Sequence, residues 1–170
     1  CKYRFPAVPS THFPHRPATG ASTREGTLVV MSAEPRRRAA PEPTRFLNVD
    51  LDVAGAAAVI DEIADALDRR LLVLHLDTAG RRRAAHYESR RQHATPDAAL
   101  RAIAAVIEGL PPRAKRAWRA ATVRDFNVGV QAGRSPHATE YAIAPVTAGR
   151  IAKLGGRLVL SVYAPFPRPR

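Results

Sequence analysis

Apolar and polar residues alternate without a break along the stretch Arg124–Gly133. Phe126, Val128 and Val130 point one way, and Asn127, Gly129 and Gln131 the other. A period of two predicts a half-buried strand, with one face on a core and one in water. Leu47, Val49, Leu51 and Val53, interleaved with Asn48, Asp50 and Asp52, repeat the design and predict a first strand. From Ala54 to Leu67 the spacing becomes helical, with Val59, Ile60, Ile63 and Leu67 on one face and Asp61, Glu62, Asp65 and Asp68 off it. Leu71–Leu76 is almost wholly apolar, the pattern of a strand covered on both sides. Asp77–Gly80 is turn chemistry, and Arg83–Ser89 a more polar strand.

Thr95-Pro96-Asp97 is the clearest helix start. Thr95 can cap, Pro96 suits the first helical position, and Asp97 faces the positive end of the helix dipole. Leu100, Ile103, Val106, Ile107 and Leu110 supply its buried stripe up to Pro111-Pro112, after which a basic helix carrying Trp118 runs from Arg113 to about Val123. Beyond the Arg124–Gly133 strand, a turn at Gly133–Pro136 leads to an expected strand over His137–Ile143. A short helix over Pro145–Leu154 stops at Gly155-Gly156, and Leu158–Tyr163 is the last strand. The order is βαββα(α)ββαβ. Its first part has the order of a ferredoxin-like, split βαβ unit, and right-handed crossovers put all helices on one face of a mixed sheet. The expected fold is α+β, a two-layer sandwich.

The flanks read differently. Residues 1–44 are rich in Pro, Arg, Thr and Ser, and Phe5, Phe13, Val29 and Val30 lack any period. Such a segment cannot offset its ordering entropy by burial, which predicts a disordered leader before a single domain over 45–165. Met31 is a natural start of translation on this reading. Residues 166–170, with two prolines, form a loose tail. Cys1 is the only cysteine; it excludes an internal disulfide and a thiolate metal cluster, and would be the lipid-bearing residue if the chain were a processed lipoprotein. No run of about 20 apolar residues is present, so no membrane span is offered. A reducing, cytoplasmic setting is the default.

The formal net charge of +12 attracts polyanions at long range. Nearly every basic residue is Arg, however, and Ala is abundant. GC-rich coding imposes that bias on any chain, so the charge alone does not define a nucleic-acid site. The densest cluster within the fold is Arg113, Lys115, Arg116, Arg119 and Arg124, in which Arg113, Arg116 and Arg119 follow one another at three-residue spacing along one helix face. Such a stripe suits phosphates. No aromatic platform accompanies it, because Trp118 lies among alanines and is expected to anchor the core.

Catalytic signatures are missing: no phosphate loop, no paired His at helical spacing, no Gly-x-Ser-x-Gly elbow. His75 and His86 could face each other across the Asp77–Gly80 turn with His93 nearby, a weak candidate for a metal and for a metal-dependent hydrolase. Cross-strand packing explains the same spacing. Asn48, Asp50 and Asp52 are expected to share an open sheet face with Asn127 and Gln131. Paired carboxylates there could do acid–base work or bind a cation, although a one-sided sheet always has a solvated face. No cofactor is expected. The residues favour a non-catalytic binding or partner-recognition domain with a protein partner at the polar face or an exposed sheet edge; nucleic acid is the alternative.

Arg45–Asp52, Thr95-Pro-Asp-Ala98, Arg124–Gly133 and Leu160–Pro165 together resemble a group of small bacterial proteins without an assigned activity. The resemblance covers residues 45–165. It implies a cytoplasmic bacterial domain and assigns no role to any residue.

Overall fold

The computed structural model describes residues 42–165; the expectations for the leader up to residue 41, Met31 and Cys1 included, and for the tail 166–170 lie outside the described residues. The described chain forms a mixed, open five-stranded sheet with four helices, an α+β fold. The elements are β1 (Arg45–Ala56), α1 (Ala57–Leu67), β2 (Leu71–Ala79), β3 (Arg82–Ser89), α2 (Pro96–Glu108), α3 (Pro112–Ala120), β4 (Val123–Gln131), α4 (Pro145–Lys153) and β5 (Arg157–Tyr163). Strand order is β2-β3-β1-β4-β5. The first three contacts are antiparallel, and β5 joins β4 in parallel through the α4 crossover.

The two alternating stretches lie side by side at the centre. Leu51 pairs with Phe126 and Val49 with Val128, so their apolar faces coincide. On β3, Tyr87 and Ala85 continue that face opposite Leu51 and Val53. Ile60, Ile63 and Leu67 of α1, Leu100, Ile103 and Ile107 of α2, and Trp118 of α3 close onto it as one core. Trp118 meets Phe126 edge-on at 6.4 Å between ring centres, a favoured aromatic geometry. Its indole N–H donates to the carbonyl of Leu154 at 2.8 Å, so burying the ring leaves no orphaned donor.

Helix ends follow the local chemistry. The Thr95 hydroxyl accepts from the Ala98 N–H at 3.3 Å, with Pro96 at the first helical position. Asp97 reaches across to accept from the Ala144 N–H at 3.0 Å, joining the starts of α2 and α4. At the end of α4, Gly155 (φ 68°) and Gly156 donate to Ala152 and Ile151. This Schellman closure requires a left-handed residue, which glycine supplies without strain. A Cβ on Gly156 would sit 2.5 Å from the Phe126 ring, so the second glycine is needed for close approach rather than for φ.

Several expectations are corrected. His137–Ile143 forms no strand: the place beside β4 is taken by β5, and the segment instead lays Tyr141 and Ile143 against the core. The observed order is therefore βαββααβαβ. β1 continues to Ala56, because Ala54–Ala56 pair with Arg82–Ala84, and α1 starts three residues later than its spacing suggests. The β2 strand runs on through Asp77–Ala79, leaving Gly80 (φ 60°) and Arg81 as a two-residue hairpin turn, with glycine at the first position as a II′ turn requires.

Leu47 is not a core residue. A bulge between Phe46 and Asn48 reverses the alternation, so Phe46 packs against the core and Leu47 is 41% exposed. β2 is not covered on both sides either. It is an edge strand, and only Leu71 of its apolar run is buried; Leu72, Val73, Leu74 and Leu76 stand exposed.

Candidate functional site

Two surfaces carry residues that packing does not explain. The first is the polar face of the sheet. Asp50 faces Asn127 on β4 and Glu88 on β3, while Asp52 faces Asp125 and His86. The alternation of β1 puts Asn48 in line with them, and the Asn48 amide donates to Asp50 at 2.8 Å. Partial burial pushes the Asp50 carboxyl up to about 6, reinforced by the negative charges of Asp52 and Glu88 and opposed by His86.

His75 does stand opposite His86 across the hairpin, with ring centres 6.2 Å apart. Each ring has a carboxylate: His86 Nδ1 lies 2.7 Å from Asp52, and His75 Nε2 lies 2.7 Å from Asp77. His86 Nε2 is 3.8 Å from Asp77, which completes a chain Asp52–His86–Asp77–His75 across three strands. His93 is drawn away to the Ser89 hydroxyl at 2.9 Å. Among the described residues, no three His, Cys, Asp or Glu side chains converge on a point a metal ion could occupy. Asn127 accepts from the Ser161 hydroxyl at 2.8 Å, and Asp125 receives a two-pronged bond from Arg157 at 3.0 and 2.5 Å. The face thus answers most of its own hydrogen bonds.

Gln131 was expected on this open face and is instead buried, at 6% exposure. Its amide donates to the carbonyls of Tyr163 and Ala164, where the chain leaves β5. A polar residue at the end of an alternating run looks solvated in the sequence; here the neighbouring strand's terminus covers it.

The basic helix is divided in use. Arg113 pairs with Glu62 at 2.5 Å. Arg124 donates to the carbonyls of Trp118 and Arg119, each at 3.2 Å, satisfying the C-terminus of α3. Arg116 and Arg119 are exposed, and Lys115 is half-buried.

The second surface was not anticipated. Leu158, Leu160 and Val162 of β5 share the core-facing side with Phe126, Val128 and Val130 opposite them on β4. Yet they are 40%, 65% and 61% exposed. Beside them lies a groove of about 500 Å³ lined by Val128, Val130, Tyr141, Ile143, Leu160 and Val162. β5 is the outermost strand, so its far edge has no strand partner among the described residues. The apolar run Leu158–Val162 was legible as a strand, but only the strand order shows that it is last in the sheet.

No family model, curated protein or solved structure matches the chain. Among the described residues, no helix is long and apolar enough to cross a membrane. Fold and surface chemistry therefore carry the functional argument.

Proposed function

We propose that this is a partner-recognition domain whose contact surface is the β5 edge and the groove beside it. The observation that carries the reading is the apolar stripe Leu158, Leu160 and Val162, core-facing by parity and exposed in fact. Strand addition suits such an edge: backbone hydrogen bonds along β5 give affinity, and apolar side chains entering the groove give selectivity. The same proposal takes the first four strands, ordered β2-β3-β1-β4, as a ferredoxin-like core of a two-layer sandwich extended by α4 and β5. A cytoplasmic setting belongs to the same proposal, supported by the resemblance noted above.

The test is site-resolved photocrosslinking in the protein's own host. A benzophenone amino acid replacing Leu160 should capture a defined chain, and excess unlabelled wild type should compete with it. The same group replacing Asp50 should not. Equal capture from both positions, or capture from Asp50 alone, moves recognition to the polar face.

The alternative remains a nucleic-acid-associated domain using the basic stretch 113–124, of which α3 carries the residues up to Ala120 and β4 carries Arg124, supported by the exposed pair Arg116 and Arg119. It requires affinity for duplex DNA that falls steeply with salt, the log–log slope shrinking by roughly 0.9 for each phosphate contact removed. Arg116→Ala with Arg119→Ala should flatten that slope; an unchanged slope ends the alternative.

A further inference from the structure

We propose that the strand β5 recognises is β5 of a second copy, paired antiparallel about a two-fold axis at Leu160; this rests on the reading of β5 as the recognition edge. The seven residues Arg157–Tyr163 are centred on Leu160. An antiparallel pairing about that centre sets Leu160 against itself, Leu158 against Val162, Val159 against Ser161, and Arg157 against Tyr163 of the second copy. The apolar stripe of one strand therefore meets the apolar stripe of the other along its whole length, and a two-fold interface demands such self-complementarity. The groove at Val128, Val130 and Tyr141 then flanks the joint symmetrically on both copies.

Charge permits the same pairing. The only charged residue of the strand is Arg157, already held by Asp125 of its own chain. Antiparallel pairing puts the two Arg157 residues roughly 20 Å apart, six residues at about 3.3 Å each. That exceeds the screening length of about 8 Å at physiological salt. Opposite each lies an aromatic ring, Tyr163, which tolerates a guanidinium at its face.

The other edge shows what a protected strand looks like in this protein. β2 carries a bulge between Val73 and His75, and the carboxylate of Asp77 beside the His75 ring. Val73 and Leu76 also lie on the core-facing side, opposite Tyr87 and Ala85, and are exposed, but the bulge between them breaks the even spacing that an unbroken stripe needs. Bulges and charges are the devices that keep edge strands from pairing. β5 has no bulge and, past Arg157 at its start, no charge: its register with β4 is unbroken from Arg157 to Tyr163, and no Pro, Gly, Lys or acidic residue interrupts it. Seven residues is a short contact beside the roughly 20–30 per side of a standard interface, which makes the dimer weak and reversible.

Sedimentation velocity on the full chain, from about 1 to about 200 µM, reads the association directly. The expected result is a concentration-dependent monomer–dimer equilibrium. Leu160→Lys and Leu160→Glu should each be monomeric, and an equimolar mixture of the two should dimerise again, because opposite charges then meet on the axis. Leu74→Lys on β2 should leave the equilibrium unchanged. In a Cys1→Ser background, Leu160→Cys should form a disulfide with its copy under mild oxidation, a readout that does not depend on how the charged variants fold. Wild type that stays monomeric throughout overturns the dimer, and if the crosslinker at 160 still captures a different chain, the edge reading survives it. A dimer indifferent to Leu160→Lys overturns both the dimer and the edge reading.

Discussion

Replacing Asp50 with Asn should stabilise the protein, and by an amount that depends on pH. The carboxyl is raised from 3.8 to about 6, first by burial and then by Asp52 and Glu88. A shift of that size corresponds to about 3 kcal/mol at 1.36 kcal/mol per pH unit. Asp50 is only partly buried, so solvent screening reduces the expected figure to about 1–2 kcal/mol. Below about pH 4 the group is protonated in both folded and unfolded chains and exerts no penalty. Between about pH 4 and 6 the unfolded chain releases its proton first, the folded chain binds more protons, and stability falls as pH rises. Above about pH 6 the penalty is complete. Asn at this position keeps an oxygen to accept from Asn48, so the 2.8 Å hydrogen bond survives in kind. Urea melts of both proteins at steps from about pH 4 to 8 should therefore coincide at the acid end and separate by about 1–2 kcal/mol at the basic end. Subtraction removes the other titrating groups. A difference that is constant with pH, or a variant less stable at pH 8, would refute the cause assigned to the shift.

Three further outcomes test the packing. Phe126→Ala should cost about 3–5 kcal/mol in urea melts, since the ring is fully buried between Trp118 and Gly156. Gln131→Ala should cost about 1 kcal/mol, the net value of a neutral hydrogen bond, and speed amide exchange near Tyr163; it exceeds the usual surface change because the amide is buried against the end of β5. Gly156→Ala should cost about 1–3 kcal/mol by forcing the Phe126 ring aside, read as a lowered thermal midpoint.

Most of the fold was legible because burial leaves a period in the sequence. Val49, Leu51, Phe126 and Val128 alternate in both strands and meet in register. Thr95-Pro96-Asp97 states a helix start in three residues, and the structure uses it. The failures share one cause: pattern does not encode which neighbour a strand receives. The bulge at Phe46/Asn48 reverses a face through backbone pairing that no side chain announces. His137–Ile143 resembled a strand, but β5 occupied the only place beside β4. On the polar face, Asp50, Asp52 and Asn127 were brought together as their parity required, whereas Gln131 was covered by a strand end 32 residues on in the chain.

The exposure of β5 follows from lengths that the sequence does contain. α4 has nine residues and so spans about 13.5 Å, at 1.5 Å per residue. β5 has seven residues and spans about 23 Å. A helix returning from β4 to start β5 can therefore shelter only part of the strand it precedes. The burial pattern tracks that limit: Leu158, near the α4 end, is 40% exposed, while Leu160 and Val162 beyond it are 65% and 61% exposed. Tyr141 and Ile143 offer partial cover from the side and leave the groove between themselves and the strand. Covering β5 fully would take roughly six more residues of helix at 1.5 Å each, added at the N-terminal end of α4 that lies toward Val162, and the helix begins only at Pro145. The exposed stripe is thus a consequence of where the helix begins, while Gly156 at its other end is what lets the Phe126 ring pack at the centre of the core.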